Sequence, residues 1–375
     1  MLSCYTVDDI SFAFRRAVLK GDIRVRNITD IDKNFIVETN IKRDGMKFYD
    51  AEKAPFKIYG LIKEDGVFLR LPKAVAKDVN EGVNDLNRHT CGGRIRFKTT
   101  SPYVGIVAKM HYVFKMPHFP LTGSAGFDIY VKEENEHVHK GSFRPAWDIS
   151  DKLESIVDLG APKMREITIH FPLYAGVESV IIALDENAEV LEPTPYKYEK
   201  PVVYYGSSIT QGGCASRPGN AYQSLISRRL DCDHVNLGFS GSAKGEDVMA
   251  EYISGLDMSV FVYDYDHNAP SVEHLRNTHE RMFKIIREKN PELPIIMMPR
   301  PRMGDHPDEI ARFAVIKATY DNAIAAGDKN VYLIEGKTLC QLCGREGTVD
   351  TCHPNDWGFA SMAKAVGDVL EGILK

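Results

Sequence analysis

The sequence predicts two domains in series. The first, over residues 1–190, is an antiparallel β-sandwich of jelly-roll type. The second, over residues 191–375, is an α/β domain whose parallel sheet is covered by helices on both faces. Three observations predict this. The chain has 375 residues, enough for two domains of ordinary size. From about residue 20 to 185 the apolar residues recur with period two in short runs. After Pro201 short apolar strands alternate with stretches of helical spacing.

Arg94-Ile95-Arg96-Phe97-Lys98 and Glu166-Ile167-Thr168-Ile169-His170-Phe171 alternate strictly. Phe127–Val131 and Val180–Leu184 are further short runs, and Gly, Pro, Asn and Asp separate them. Many short strands with turn residues between them specify a sandwich. Residues 185–201 contain Pro193, Pro195 and Pro201 among polar residues and read as a linker. Beyond it, the spacing predicts strands at 202–205, 234–237, 259–264, 295–298 and 331–334. Helices are predicted at 220–230, 245–254, 271–289, 307–326 and 357–374. Strands alternating with helices of this length build a parallel sheet, with its ligand site outside the carboxyl ends of the strands.

Composition narrows the function. Hydrophobic residues make up 43% and charged residues 26%, as in ordinary globular proteins. The formal net charge of −5 lacks the basic excess of a phosphate-tracking protein, so no nucleic-acid partner is expected. No apolar run reaches the roughly 18 residues of a membrane span, so no membrane partner is expected either. The N-terminal residues lack a basic start followed by an apolar core, so no secretory leader is expected. The seven cysteines are an odd number in a large chain and do not resemble a disulfide framework. A cytoplasmic location is the simplest expectation.

Four segments carry chemistry. The strand at 202–205 runs into Gly206-Ser207-Ser208-Ile209-Thr210. The glycine permits a sharp turn, and Ser208 then stands at a helix mouth where free N–H groups stabilise negative charge. An ordinary βα turn with capping serines has the same pattern. The next strand ends in Asn236-Leu237-Gly238-Phe239-Ser240-Gly241-Ser242, where a glycine N–H could serve an oxyanion or merely a flexible turn. The third ends in Asp264-Tyr265-Asp266-His267-Asn268; a side-chain amide here could donate to the oxyanion, or Asp264, Asp266 and His267 could bind a metal. The late loop holds Asp350 and His353, three apart, followed by Pro354. The carboxylate would fix the imidazole tautomer and leave Nε2 to take a serine proton. Helix capping by Asn355 or Asp356 is compatible with that reading.

In order and position these four segments resemble the blocks of the SGNH (GDSL-like) hydrolase superfamily. Ser208 stands in the nucleophile place, Gly241 matches the second-block glycine and Asn268 the third-block asparagine. Asp350, His353 and Pro354 match the last block. The resemblance covers about residues 201–375 and implies a three-layer, flavodoxin-like α/β/α domain. The front half is similar to the sandwich of a two-domain, carbohydrate-esterase-like subgroup. Two positions depart from the pattern: Ser207 replaces the usual Asp, and Tyr265–Ala269 replaces Gly-x-Asn-Asp, so that Asp266 could occupy the depth of Asn268. An α/β-hydrolase fits less well, because Thr210 stands where its Gly-x-Ser-x-Gly motif ends and the acid lies only three residues before the histidine.

The resemblance implies a serine esterase. Ser208 would attack an ester carbonyl, His353 would act as general base and then acid, and Asp350 would orient it. The backbone N–H groups of Ser208 and Gly241 and the Asn268 amide would hold the oxyanion. The reaction passes through an acyl-enzyme and needs no cofactor. No metal is expected; Cys340, Cys343 and Cys352 offer only three zinc ligands unless His353 is taken from catalysis. The two-domain relatives point to an acylated, most simply O-acetylated, saccharide as substrate. Tyr205, Arg217 and Trp357, with Tyr204 and Tyr265, lie near the expected site and could line a sugar pocket or equally be packing residues. A thioesterase, a lysophospholipase or a non-catalytic carbohydrate-binding protein are the alternatives. Edge strands of the sandwich could pair two copies.

Overall fold

The computed structural model describes residues 26–37, 40–134 and 136–374. Cys4 and the leader expected to be absent at the N-terminus lie outside these residues. Contacts divide the chain into residues 1–38 and 39–375. In the first unit, the described residues form a short helix, Ile28–Ile31, capped reciprocally by Asn27 and Asp30, and a 3₁₀ turn, Lys33–Phe35.

The second unit begins with the sandwich. One sheet has the order Met46–Asp50, Ala175–Asp185, Tyr103–Val113, Lys152–Asp158. The other has the order Val190–Leu191, Arg94–Thr99, Arg165–His170, Phe127–Glu133, Glu136–Phe143, with Lys57–Tyr59 also paired to Arg94–Thr99. The pairings are antiparallel. Ile95, Phe97, Ile106, Phe127, Ile167 and Ile182 fill the space between the sheets, as the period-two pattern requires.

Three features go beyond what the sequence pattern shows. Lys73–Val79 and Glu81–Leu86 are helices, and Val79 and Val83 pack with the helix Asp247–Ser254 of the α/β layer. The residues alternating with Ile95 and Phe97 do not face water: Arg94 and Arg96 are fully buried. Arg94 pairs with Asp233 and donates to the His234 carbonyl at 2.9 Å, so this outer face is bolted to the α/β layer. The expected linker also holds structure. Val190–Leu191 joins the sandwich, and Tyr198–Gly206 is already the first parallel strand.

The parallel sheet has the order Cys232–Gly238, Tyr198–Gly206, Val260–Asp264, Ile295–Met297, Val331–Leu333. Side chains alternate between its two covered faces. Val203, Tyr205, Phe261 and Tyr263 meet helices Asp247–Ser254, Val272–Lys289 and Pro307–Ala325. Val202, Tyr204, Val260 and Val262 meet helices Tyr222–Leu230 and Asp356–Ile373. This is the three-layer α/β/α arrangement predicted. The first strand lies between the second and third, and the order in which strands are added to the sheet reverses there, which opens a crevice at their carboxyl ends.

Candidate active site

The three strands beside that switch point deliver three of the four expected segments. After Gly206 the chain enters a four-residue helix, Ser208–Gln211. Ser207 is its N-cap, with Oγ accepting the Ile209 N–H at 3.1 Å. Capping is work that Ser and Asp do equally well, so the departure at Ser207 leaves the turn intact. Gly206 is required here: a Cβ would collide with the Asp264 carboxyl and the Thr210 hydroxyl. Thr210 donates to Asp264, whose carboxyl pKa burial pushes well above the usual carboxylate range.

Ser208 is only 5% exposed. Its Oγ lies 2.9 Å from His353 Nε2, across 145 residues of chain. His353 Nδ1 lies 2.7 Å from Asp350 Oδ2. The other carboxylate oxygen, Oδ1, accepts the backbone N–H groups of Cys352 at 3.0 Å and His353 at 2.7 Å. Partial burial pushes the Asp350 pKa up. The His353 N–H, the His353 ring and the Cys352 N–H outweigh it and bring the value down to about 2. Asp350 is therefore ionised across the neutral range and can hold His353 with its Nδ1 protonated. Thr351 makes this tight turn possible by adopting φ 66°, a left-handed conformation uncommon for a β-branched residue.

Gly241 also has positive φ, 65°, and no heavy atom lies within 4 Å of where its Cβ would be. The Asn268 amide donates to the Phe239 carbonyl at 2.9 Å, which ties the third-strand end to the loop bearing Gly241. That bond uses one of the amide's two N–H groups. Asp266 does not share this position. It is buried and its Oδ1 accepts the Arg300 backbone N–H at 3.1 Å.

Of the residues expected to line a sugar pocket, the three tyrosines and Arg217 have other partners. Tyr204, Tyr205 and Tyr265 are buried in the helix-facing layers. Tyr205 accepts the Gly245 N–H at 3.0 Å, and Tyr265 bonds Thr278 at 2.9 Å. A strand of a parallel sheet is covered on both faces, so its aromatics pack and do not line a crevice. Arg217 reaches into the sandwich, with its guanidinium 3.3 Å from the Tyr130 hydroxyl and 3.6 Å from Asp128. Trp357 is exposed in the first turn of the last helix. Asp264, Asp266 and His267 do not converge on one ion, and neither do Cys340, Cys343 and Cys352.

Sequence reasoning missed residues that act at long range. Gln211 Oε1 accepts the Ser240 N–H at 3.0 Å and so holds the Gly241 loop. From the sandwich, Arg70 donates to the Gly238 carbonyl and lies 4.1 Å over the Phe239 ring. Tyr174 donates to the Ser208 carbonyl at 3.3 Å. Tyr174 and Ser240 also line a cavity of about 380 Å³ with His89, Tyr112, Phe114 and Met116. Tyr112 and Phe114 stack nearly parallel, at 10°, and each is more than two-fifths exposed. A second cavity, of about 540 Å³, adjoins the Asp350–His353 turn through Thr351 and Pro354 and is lined by Arg300 and Arg302.

Residues 199–371 match the model of the GDSL-like lipase/acylhydrolase family, and residues 46–190 match that of the N-terminus of SGNH-hydrolase-type esterases. The chain belongs to the SGNH (GDSL-like) hydrolases. It is an ester hydrolase of that superfamily with its β-rich domain in front. A GDSL-like lipase candidate from Bacteroides ovatus ATCC 8483 is 26% identical to this SGNH hydrolase. It superposes with a TM-score of 0.78 over 88% of this chain and 98% of its own. The salicylyl-acyltransferase SsfX3 of a tetracycline biosynthetic pathway is 19% identical, with a TM-score of 0.72 over 89% and 99%. A family two carbohydrate esterase from Cellvibrio japonicus is 12% identical, with a TM-score of 0.59 over 88% and 98%. The last two share the fold. No curated protein matches the sequence. Among the described residues no helix is long and apolar enough to cross a membrane.

Proposed function

We propose that this SGNH hydrolase is a serine esterase that removes O-acyl groups, O-acetyl above all, from a saccharide through an acyl-enzyme. The observation that carries the chemistry is the unbroken line from Ser208 Oγ to His353 Nε2 at 2.9 Å and from His353 Nδ1 to Asp350 at 2.7 Å. Ser208 Oγ attacks the ester carbonyl as His353 takes its proton. Asp350 keeps the ring in the tautomer that can accept at Nε2 and stabilises the imidazolium that forms. The N–H groups of Ser208 and Gly241 and the second N–H of Asn268 hold the oxyanion; each such donor is worth about 2.7–4 kcal/mol in related chemistry. His353 then protonates the departing alcohol. Water, deprotonated by the same ring, releases the acid and restores Ser208.

The saccharide rests on the cavity beside Tyr174 and Ser240. Its stacked Tyr112 and Phe114 rings offer a flat apolar ledge, and sugar rings present flat apolar faces to aromatics. Carbohydrate esterases of this fold, including the acetyl xylan esterase Est2A from Butyrivibrio proteoclasticus, support the same substrate class. A flat aryl acyl group fits the ledge too, and SsfX3 is named for transferring one, which gives acyl transfer as the second reading. The deciding experiment measures acid release from acetylated saccharides, aryl esters, acyl-CoA and medium-chain esters, with and without an acceptor alcohol. Fastest release from acetylated sugars, abolished in Ser208→Ala, supports the proposal. Faster turnover of aryl esters with product carried on the acceptor supports acyl transfer, and equal rates for wild type and Ser208→Ala defeat both.

A further inference from the structure

Three metal-capable side chains from separate segments meet beside the nucleophile. His118 comes from the sandwich, in the loop after Tyr103–Val113; Cys214 follows the short helix that carries Ser208; His353 comes from the late loop. One donor atom of each lies within 4.8 Å of the others, and among the described residues this is the group of His, Cys, Asp or Glu that gathers so closely. The two imidazoles are 6.0 Å apart between ring centroids. His118 Nε2 also lies 3.9 Å from Asp350 Oδ2. Cys214 is buried and held at φ 75°, a conformation uncommon outside glycine.

We propose that His118, Cys214 and His353 form a reversible inhibitory site for a thiophilic divalent cation of the zinc type. Two imidazoles and a thiolate are the donor set that zinc and cadmium favour, and hard cations such as magnesium and calcium do not. Three protein ligands leave a fourth position for water or for the nearby Asp350 carboxylate. Binding forms the metal–sulfur bond and releases the thiol proton to solvent. The ion also occupies a lone pair of His353. If that is Nε2, the ring can no longer take the Ser208 proton; if it is Nδ1, Asp350 loses its partner. Either way the reaction stops while the metal stays. His118 thereby lets the sandwich domain take part in switching the enzyme.

The loss of activity rests on the reading of His353 as the base, whereas binding does not, so the test reads both. Cadmium is titrated into the full-length protein and followed by the ultraviolet thiolate-to-cadmium band and by calorimetry. Zinc is titrated in parallel against ester hydrolysis and removed with a chelator. The expected result is one cadmium per chain with the thiolate band, and a zinc-dependent loss of activity that the chelator reverses. Cys214→Ser and His118→Ala should each weaken binding and inhibition by more than about tenfold. His118 is partly exposed and its replacement tests the site even where Cys214→Ser lowers stability. Absence of the band in wild type overturns the proposal, as does unchanged binding in both variants. Binding without inhibition in an active enzyme removes His353 from the site and overturns it equally. A protein that binds cadmium as expected but hydrolyses no ester supports the metal site and defeats the esterase reading alone.

Discussion

Asp266→Asn should change the pH dependence of stability in a direction and by an amount that the structure fixes. Asp266 is 3% exposed. Burial pushes its pKa up from 3.8 to about 6 against the pull of the Arg300 charge, the Arg300 N–H and Arg312. In the unfolded chain the carboxyl titrates near its ordinary value. Below that value both states carry the proton and the residue costs nothing. Between about pH 4 and 6 the folded state holds more protons than the unfolded state, so stability falls as pH rises. Above 6 the whole cost of a buried carboxylate is present. A shift of roughly two units corresponds to about 3 kcal/mol, of which about 2 kcal/mol develops between about pH 4.5 and 7.5. Asn has no proton to lose and keeps an oxygen for the Arg300 N–H. Urea unfolding of both proteins across that pH range, at equal m-value, reads the difference directly. The variant should gain on wild type by about 2 kcal/mol as pH rises and retain its esterase rate at neutral pH. A stability difference that stays flat with pH would refute the reasoning.

Other outcomes follow from the same contacts. Asp350→Asn keeps an acceptor for the Cys352 and His353 N–H groups but favours the wrong tautomer. It should lower kcat by about 10³–10⁴ while leaving the melting temperature nearly unchanged. Gly238→Ala should unfold or severely destabilise the protein, because its Cβ would meet the Gln211 backbone. Gly241→Ala faces open space and should cost only the left-handed strain of about 1–2 kcal/mol, read by thermal unfolding. Tyr112→Ala should raise KM for the acetylated sugar about two- to tenfold with little change in kcat, and an unchanged KM would remove the ledge from substrate binding.

The α/β half was legible because each strand is short, apolar and followed by a helix of normal length. The chemistry was legible for a related reason: Ser208, Gly241 and Asn268 follow strand ends, and Asp350 and His353 share one turn. What stayed hidden depends on partners far away in sequence. Arg94 and Arg96 alternate like solvent-facing residues, and only the α/β layer behind them makes that face an interior. The helices Lys73–Val79 and Glu81–Leu86 are too short to interrupt a period-two pattern visibly. Tyr205 looked available because it adjoins the nucleophile in sequence; coverage of both sheet faces buries it. Nothing in local spacing marks His118, Tyr174 or Arg70, which the fold of the sandwich carries to the crevice.

Trapping the acyl group tests the central reading most directly. The protein is mixed with a slowly deacylating ester, quenched with acid, digested and mapped by peptide mass spectrometry. A single acyl adduct is expected on the peptide carrying Ser208, absent when that residue is alanine and formed far more slowly when His353 is alanine. An adduct on another side chain, or undiminished labelling of the alanine variant, would contradict it.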